Sequence, residues 1–347
     1  MAINGICEKE LESLHATIIK SIEKFDLALT GKVVLTEAAT GNYVTTPIIA
    51  AAAGAEKVYA VTRDSKYGSV EDVKQQTFIL AEKLGVDDKI EVITDLDGID
   101  LGKIDILTNT GFLRPIDKKT IDRLSPKCVI PLMWETWEYR AADLDIEATA
   151  EKGIKVYGTN EDDSRLKTKE YIGYMVLLFL LQTKHTPIES KVLILGCKAF
   201  TACTEKILRQ NGYDINVIND YSTREEIGQY DAIVLLEHEN DILLIGKEGY
   251  IKSNEISYLT DVIHICGNVD FFEAPFRFSP QKPAPFGYMS FTADYMGSHV
   301  VIDLHTAGFK VAEGMIEANK RGLAPKEYRE FMEEKYPALS FNATKYW

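Results

Sequence analysis

From Lys32 onward, short apolar runs alternate with stretches whose apolar positions recur at helical spacing. Residues 32–36 (KVVLT), 58–61, 90–93, 104–107, 128–132 and 155–157 predict strands. Residues 45–54 are Ala- and Ile-rich and predict a helix; 70–84, stopped by Gly85, and 146–152 predict two more. The strands lack polar alternation and are separated by helices, which predicts a parallel sheet covered on both faces. A long apolar helix at 167–182 breaks the series, followed by a polar link holding Pro187. A second series follows: a strand at 191–195, a helix at 201–211 ending at Gly212, and strands at 215–218, 232–236 and 262–265. Residues 279–287 hold three of the eleven prolines and predict an irregular connection. A helix at 299–321 and a polar tail close the chain. The pattern is two α/β modules joined by helices.

A length of 347 residues suits about two domains. Lys and Arg number 39 and Asp and Glu 53, a formal charge of −14. A polyanion would be repelled, so nucleic acid and anionic membrane surfaces are not expected partners. A small anionic substrate in a local basic pocket remains compatible with that charge. Residues 1–20 carry acids and no long apolar core, unlike a signal peptide. The longest apolar run, 175–181, falls far short of the ~20 residues of a spanning helix. A cytoplasmic protein is expected. The five cysteines, Cys7, Cys128, Cys197, Cys203 and Cys266, include no Cys-x-x-Cys pair. They read as reduced thiols, with no metal site expected.

The segment KVLILGCKAFTACTEKILRQNGYDINVIND, residues 191–220, carries the clearest local signal. A strand ends at Gly196, a tight turn enters a helix, and a second strand ends at Asp220. In a dinucleotide-binding unit that turn brings backbone N–H groups and the helix N-terminus to the pyrophosphate, and the later acid accepts the ribose hydroxyls. Lys198 and Thr201 stand where the second and third glycines of G-x-G-x-x-G would be; Lys198 can neutralise phosphate instead. Gly196, Lys198, Thr201, Asp220 and Asn268 are the candidate cofactor contacts. The plain alternative is a βαβ unit without a ligand.

In the first module, Thr36 to Tyr43 (TEAATGNY) follows a strand and precedes a helix, and Asp64 lies beyond the next strand. This resembles the first βαβ unit of S-adenosylmethionine-dependent methyltransferases. The resemblance implies an S-adenosyl ligand as the alternative cofactor; a substrate loop on the rim of a cleft is the other reading. Ligands of parallel sheets bind beyond the carboxyl ends of the strands. That rule gathers Glu37, Asn42, Tyr43, Asn109, Arg114, Trp134 and Trp137 as candidate substrate contacts. Two tryptophans and two glutamates fall within 134–138, either as a core cap with solvated acids or as part of a substrate site.

Residues 103–161 resemble the D-2-hydroxyacid dehydrogenase family. Asp145-Ile146-Glu147-Ala148-Thr149, Gly153-Ile154-Lys155-Val156 and the helix at 170–181 fill the places of that family's motifs, and the segment 191–220 follows at the expected point. The resemblance implies a flavodoxin-like substrate domain at 1–165, a Rossmann-like dinucleotide domain at 166–298 and a C-terminal helix, 299–347, returning to the first domain. It also implies crossing helices between the domains, NAD, a small polar metabolite held in a cleft between them, and a homodimer. The family's catalytic Arg and His do not carry over. The segment after 262–265 holds no Arg, and 289–297 (MSFTADYMG) holds no His. The candidate acid–base groups are therefore His264, His238 and Glu135; both histidines are expected at the carboxyl ends of strands, His264 starting the turn after its strand, and imidazole is the usual proton carrier at neutral pH. His299 and His305, six residues apart, do not share a helical face. The expectation is an NAD-dependent oxidoreductase-like enzyme; the alternative is a non-redox enzyme or binding protein for an S-adenosyl or other nucleotide ligand.

Overall fold

The computed structural model describes residues 2–3, 6–271 and 276–341. The side chain of Cys7 lies outside the described residues. The chain divides into two compact units, Met1–Leu166 with Gly297–Trp347, and Lys167–Met296.

The first unit begins with an antiparallel pair of two-residue strands, Ala2–Ile3 and Ile6–Cys7, followed by helix α1 (Glu8–Phe25). Then come β1 (Val33–Glu37), α2 (Thr45–Ala52), β2 (Lys57–Val61), α3 (Val70–Leu84) and β3 (Ile90–Ile93). β4 (Ile106–Leu107), α4 (Lys118–Arg123), β5 (Val129–Pro131), α5 (Ile146–Lys152) and β6 (Lys155–Thr159) follow. The second unit holds α6 (Thr168–Gln182), β7 (Lys191–Gly196), α7 (Lys198–Gln210), β8 (Asp214–Ile218) and β9 (Ala232–Leu236). Its later strands are β10 (Leu243–Gly246), β11 (Ile251–Lys252), β12 (Asp261–Cys266), β13 (Asn268–Val269) and β14 (Arg277–Ser279). The chain then rejoins the first unit with α8 (Ser298–Arg321), α9 (Pro325–Lys335) and β15 (Ala338–Leu339).

Local chemistry accounts for the element ends. At α3, the Ser69 hydroxyl accepts the Asp72 N–H at 3.2 Å and Asp72 accepts the Ser69 N–H at 2.8 Å, a reciprocal cap that satisfies two first-turn donors. Gly85 closes the same helix at φ +65°, a conformation that costs glycine nothing. α5 is capped by the Asp145 carboxylate on the Ala148 N–H at 2.9 Å.

The chain is α/β with two parallel sheets, as the periodicity predicts. The first sheet runs β15-β6-β5-β4-β1-β2-β3, parallel throughout except for β15, which pairs antiparallel with β6. Without its edge strand this is the doubly wound order of Rossmann folds. The second runs β8-β7-β9-β12-β14, all parallel, the other common doubly wound order. The side of the sheet on which a right-handed crossover lays its next strand leaves no trace in hydrophobic period. A small sheet, β11-β10-β13, completes the second unit.

The polar tail predicted after residue 321 is corrected too: it holds α9 and β15. Tyr328, Phe331 and Met332 are buried, an i, i+3, i+4 stripe within an otherwise charged segment. The helix predicted at 201–211 begins three residues earlier, at Lys198, and the strand predicted to reach Asp220 ends at Ile218. Among the described residues no helix is long and apolar enough to cross a membrane.

Candidate functional site

Each sheet reverses its winding once, and the loops leaving the two strands at that point diverge to leave a crevice. In the first unit the flanking strands are β1 and β4; in the second they are β7 and β9.

Glu37 ends β1 and is buried. Its Oε2 accepts the Phe112 N–H at 3.0 Å, from the turn that follows β4. A Cβ at Gly111 would lie 3.0 Å from that same oxygen, so a glycine lets the backbone approach the carboxylate. Burial raises the Glu37 pKa, against the Phe112 and Gly111 amides and Arg114, which lower it. Asn109, also buried, accepts the Met133 N–H on Oδ1 at 3.2 Å and so ties the β4 loop to the end of β5. Arg114 donates from Nε to the Asn109 carbonyl at 2.6 Å and from Nη1 to Asp143 at 3.2 Å. Its guanidinium carbon lies 4.4 Å from the centre of the Trp134 ring. The fork is thereby fixed by two acceptors and an aromatic face.

The loop after β5 adds carboxylates to this neighbourhood. Glu135 accepts the Trp137 indole N–H at 2.9 Å. Glu138 is half-buried, and its pKa is pushed up to about 8 by burial and by the carboxylates of Glu161 and Glu135, with Arg140 and Arg114 pulling the other way. A carboxyl group with such a pKa holds a proton at neutral pH and can both give and take one. The sequence reading placed Glu138 in the 134–138 cluster, as a solvated acid or part of a substrate site, but not among the acid–base candidates. Tyr43 packs near the His305 ring, centroids 5.8 Å apart, and His305 shares a hydrogen bond with Thr46 Oγ1 at 2.8 Å. Asn42 stands beside Tyr43 in the turn Gly41–Val44 after β1.

In the second unit Gly196 ends β7, and a Cβ there would lie 2.3 Å from the Leu236 carbonyl oxygen. This glycine is required by the close approach of β9. Asn219 donates from Nδ2 to the Gly196 carbonyl at 2.6 Å and to Thr201 Oγ1 at 2.7 Å, which joins both candidate positions to the end of β8. Lys198 is exposed on the first turn of α7. Asp220 is exposed, its two oxygens taking the Ser222 N–H and hydroxyl, each at 2.9 Å. Those bonds lower its pKa. Asn268 stands apart in β13 and donates to Asp241 at 2.7 Å.

His238 follows β9 and lies 2.8 Å, Nδ1 to Sγ, from Cys197, with the Phe200 ring stacked at 4.4 Å and 23°. Burial pulls the imidazole down to about 4 and pushes the thiol up to about 11, so both groups are neutral. His264 is wholly buried inside β12 rather than in the following turn. Its Nδ1 pairs with Ser290 Oγ at 2.7 Å and its Nε2 with the Gly267 carbonyl at 3.0 Å. Both nitrogens are engaged, and burial lowers its pKa.

No family model matches the sequence, and no curated protein matches it. Solved structures match its fold. The A chain of dipicolinate synthase from Bacillus subtilis aligns at 14% identity with a TM-score of 0.56, over 85% of this chain and 99% of that one. The corresponding dipicolinate synthase polypeptide from Bacillus halodurans aligns at 11% identity and 0.52, over 80% and 96%. A D-lactate dehydrogenase from Treponema pallidum aligns at 12% identity and 0.49, over 85% and 98%. At 14% and 11% identity, the two dipicolinate synthase chains share the fold of this chain.

Proposed function

We propose that the chain is an NAD-dependent oxidoreductase acting on a small polar metabolite. The observation that carries this reading is the β7–α7 turn at the second unit's switch point. At the start of α7 the Cys197 N–H donates to the Leu236 carbonyl at 3.1 Å and the Phe200 N–H to the Cys197 carbonyl at 3.2 Å, which leaves the Lys198 and Ala199 N–H groups for a bound phosphate. The Lys198 ammonium stands on the same turn, and the exposed Asp220 carboxylate follows β8 with lone pairs left for ribose hydroxyls. Thr201, where a glycine would be usual, is turned inward and held by Asn219, so it does not fill the approach. These residues fit a dinucleotide. NAD supplies hydride acceptance when bound.

In the first unit, Arg114 is fixed to receive a carboxylate or other oxygen of the substrate, and Asn109, Trp134 and Trp137 shape the surroundings. The proton is held at the carboxyl of Glu138, with Glu135 beside it, since both nitrogens of His264 are engaged and His238 is bonded to Cys197. The same reading takes the protein as a cytoplasmic homodimer, and light scattering at micromolar concentration checks the assembly. One observation favours a second reading. The first unit has the Rossmann strand order, with Gly41 at φ +67° in the turn after β1, where an S-adenosyl or other nucleotide ligand would lie. Titration of the full chain with NADH, followed by nicotinamide fluorescence, tests the main reading. Saturable binding that weakens in Lys198→Glu supports it; no binding of NADH, with S-adenosylhomocysteine bound instead, moves the function to the second.

A further inference from the structure

The switch-point crevice of the second unit holds a group of side chains that dinucleotide binding does not explain. Cys197 Sγ, a ring nitrogen of His238 and a carboxylate oxygen of Glu239 lie within 4.8 Å of one another. They come from two loops, the β7–α7 turn and the segment after β9. The geometry points to a binding site for a borderline-soft divalent cation, zinc by its donor set, held by Cys197, His238 and Glu239 with a fourth position open. The inference stands apart from the dinucleotide reading, since neither the donors nor their support depends on a bound nucleotide.

The donor set decides the class of ion. One thiolate, one imidazole and one carboxylate suit zinc or cobalt; magnesium and calcium take oxygen ligands alone. Three protein ligands with an open position are the arrangement of catalytic rather than structural zinc. Sγ and Nδ1 lie 2.8 Å apart, joined by one hydrogen bond. A tetrahedral zinc ion sets its ligand atoms roughly 3.5 Å apart, so the pair opens by less than about an ångström when the ion takes the proton's place. The step balances: the divalent ion replaces one thiol proton, which leaves to solvent, and the neutral imidazole donates its lone pair.

The surroundings are built to hold the donors. The buried Glu237 carboxylate accepts the backbone N–H groups of Glu239 at 2.9 Å and Asn240 at 3.0 Å, and the Tyr221 hydroxyl at 2.7 Å. That fixes the loop on which His238 and Glu239 stand. Phe200 stacks on the imidazole and sets the plane of the ring. Outer groups of this kind orient metal ligands. Glu239 is exposed, so an ion reaches the buried sulfur from its side. The expectation of no metal site rested on local spacing; here the sulfur and the imidazole stand 41 residues apart in sequence.

Cobalt(II) substitution tests the site. The full chain is stripped with a chelator, kept reduced with a phosphine and titrated with Co²⁺ under argon. The expected result is one ion per chain, a near-ultraviolet sulfur-to-cobalt charge-transfer band, visible bands of a four-coordinate ion, and displacement of both by Zn²⁺. Cys197→Ser should abolish the charge-transfer band. His238→Ala and Glu239→Gln should weaken Zn²⁺ binding, read against a chromophoric chelator, by about tenfold or more. No thiolate band in the wild type, or the same band in folded Cys197→Ser, overturns the proposal. Should Cys197→Ser fail to fold by circular dichroism, the exposed Glu239→Gln carries the test, and an unchanged Zn²⁺ affinity there overturns it.

Discussion

Phe112 donates its backbone N–H to Glu37 at 3.0 Å and so bridges the two strands on either side of the first unit's reversal of winding. The bond carries the β4 loop across the crevice mouth, and Asn109 and Arg114 ride on that loop. A buried carboxylate here acts as a clamp for that loop.

Gly196→Ala should destabilise the second unit. The new Cβ would meet the Leu236 carbonyl oxygen at 2.3 Å, backbone that cannot rotate away, so β7 and β9 must part. Overpacking of this kind costs about 1–3 kcal/mol. Chemical denaturation of wild type and variant checks it; equal midpoints would show that the strands are less closely fitted.

Glu138→Gln should change how stability depends on pH. The folded pKa of Glu138, about 8, lies above the ordinary 4.5. Between those values the native state binds the proton and the unfolded chain does not, so stability falls as pH rises from about 4.5 to about 8. Gln cannot titrate, so the variant should lose less stability over that range. Thermal unfolding at pH 5 and pH 8 gives the comparison, and parallel losses in the two proteins would remove Glu138 as the proton holder.

His305→Gln should act in the opposite direction. His305 is buried against Thr46, and burial pulls its pKa down to about 4 from 6.5. Between those values the unfolded chain binds the extra proton, so wild-type stability is lost as pH falls through that range. The Gln variant should be less stable at pH 7, through lost packing, yet show a flatter profile from pH 6.5 to 4. An unchanged acid limb would mean that His305 carries no such linkage.

The alternation of apolar runs and helices made the α/β class and most elements legible, because buried parallel strands need unbroken apolar sequence. α3 and α5 were predicted to the residue, since Gly85 and Gly153 stop them and Ser69 and Asp145 start them. Strand order was not legible, as βαβ units of either order share one pattern. α9 escaped because its buried stripe of Tyr328, Phe331 and Met332 is short among charges. At the sites, Glu37, Asn109 and Arg114 could be gathered by the strand-end rule alone. The rise in Glu138 could not, since it depends on burial by the folded chain and on Glu161, which arrives from beyond β6. Nor could the partnership of Cys197 with His238, which the adjacency of β7 and β9 creates.

The central claim, that the second unit binds NAD through the β7–α7 turn and Asp220, is tested most directly by calorimetric titration of NAD and NADP into wild type and Asp220→Ala. The account predicts that the wild type binds NAD more tightly than NADP, because the Asp220 carboxylate accepts ribose hydroxyls and repels a 2′-phosphate. Asp220→Ala should weaken NAD by roughly ten- to hundred-fold, the loss of hydrogen bonds to a charged group, and weaken NADP less. Binding of neither dinucleotide, a wild-type preference for NADP, or an NAD affinity untouched by Asp220→Ala would contradict it.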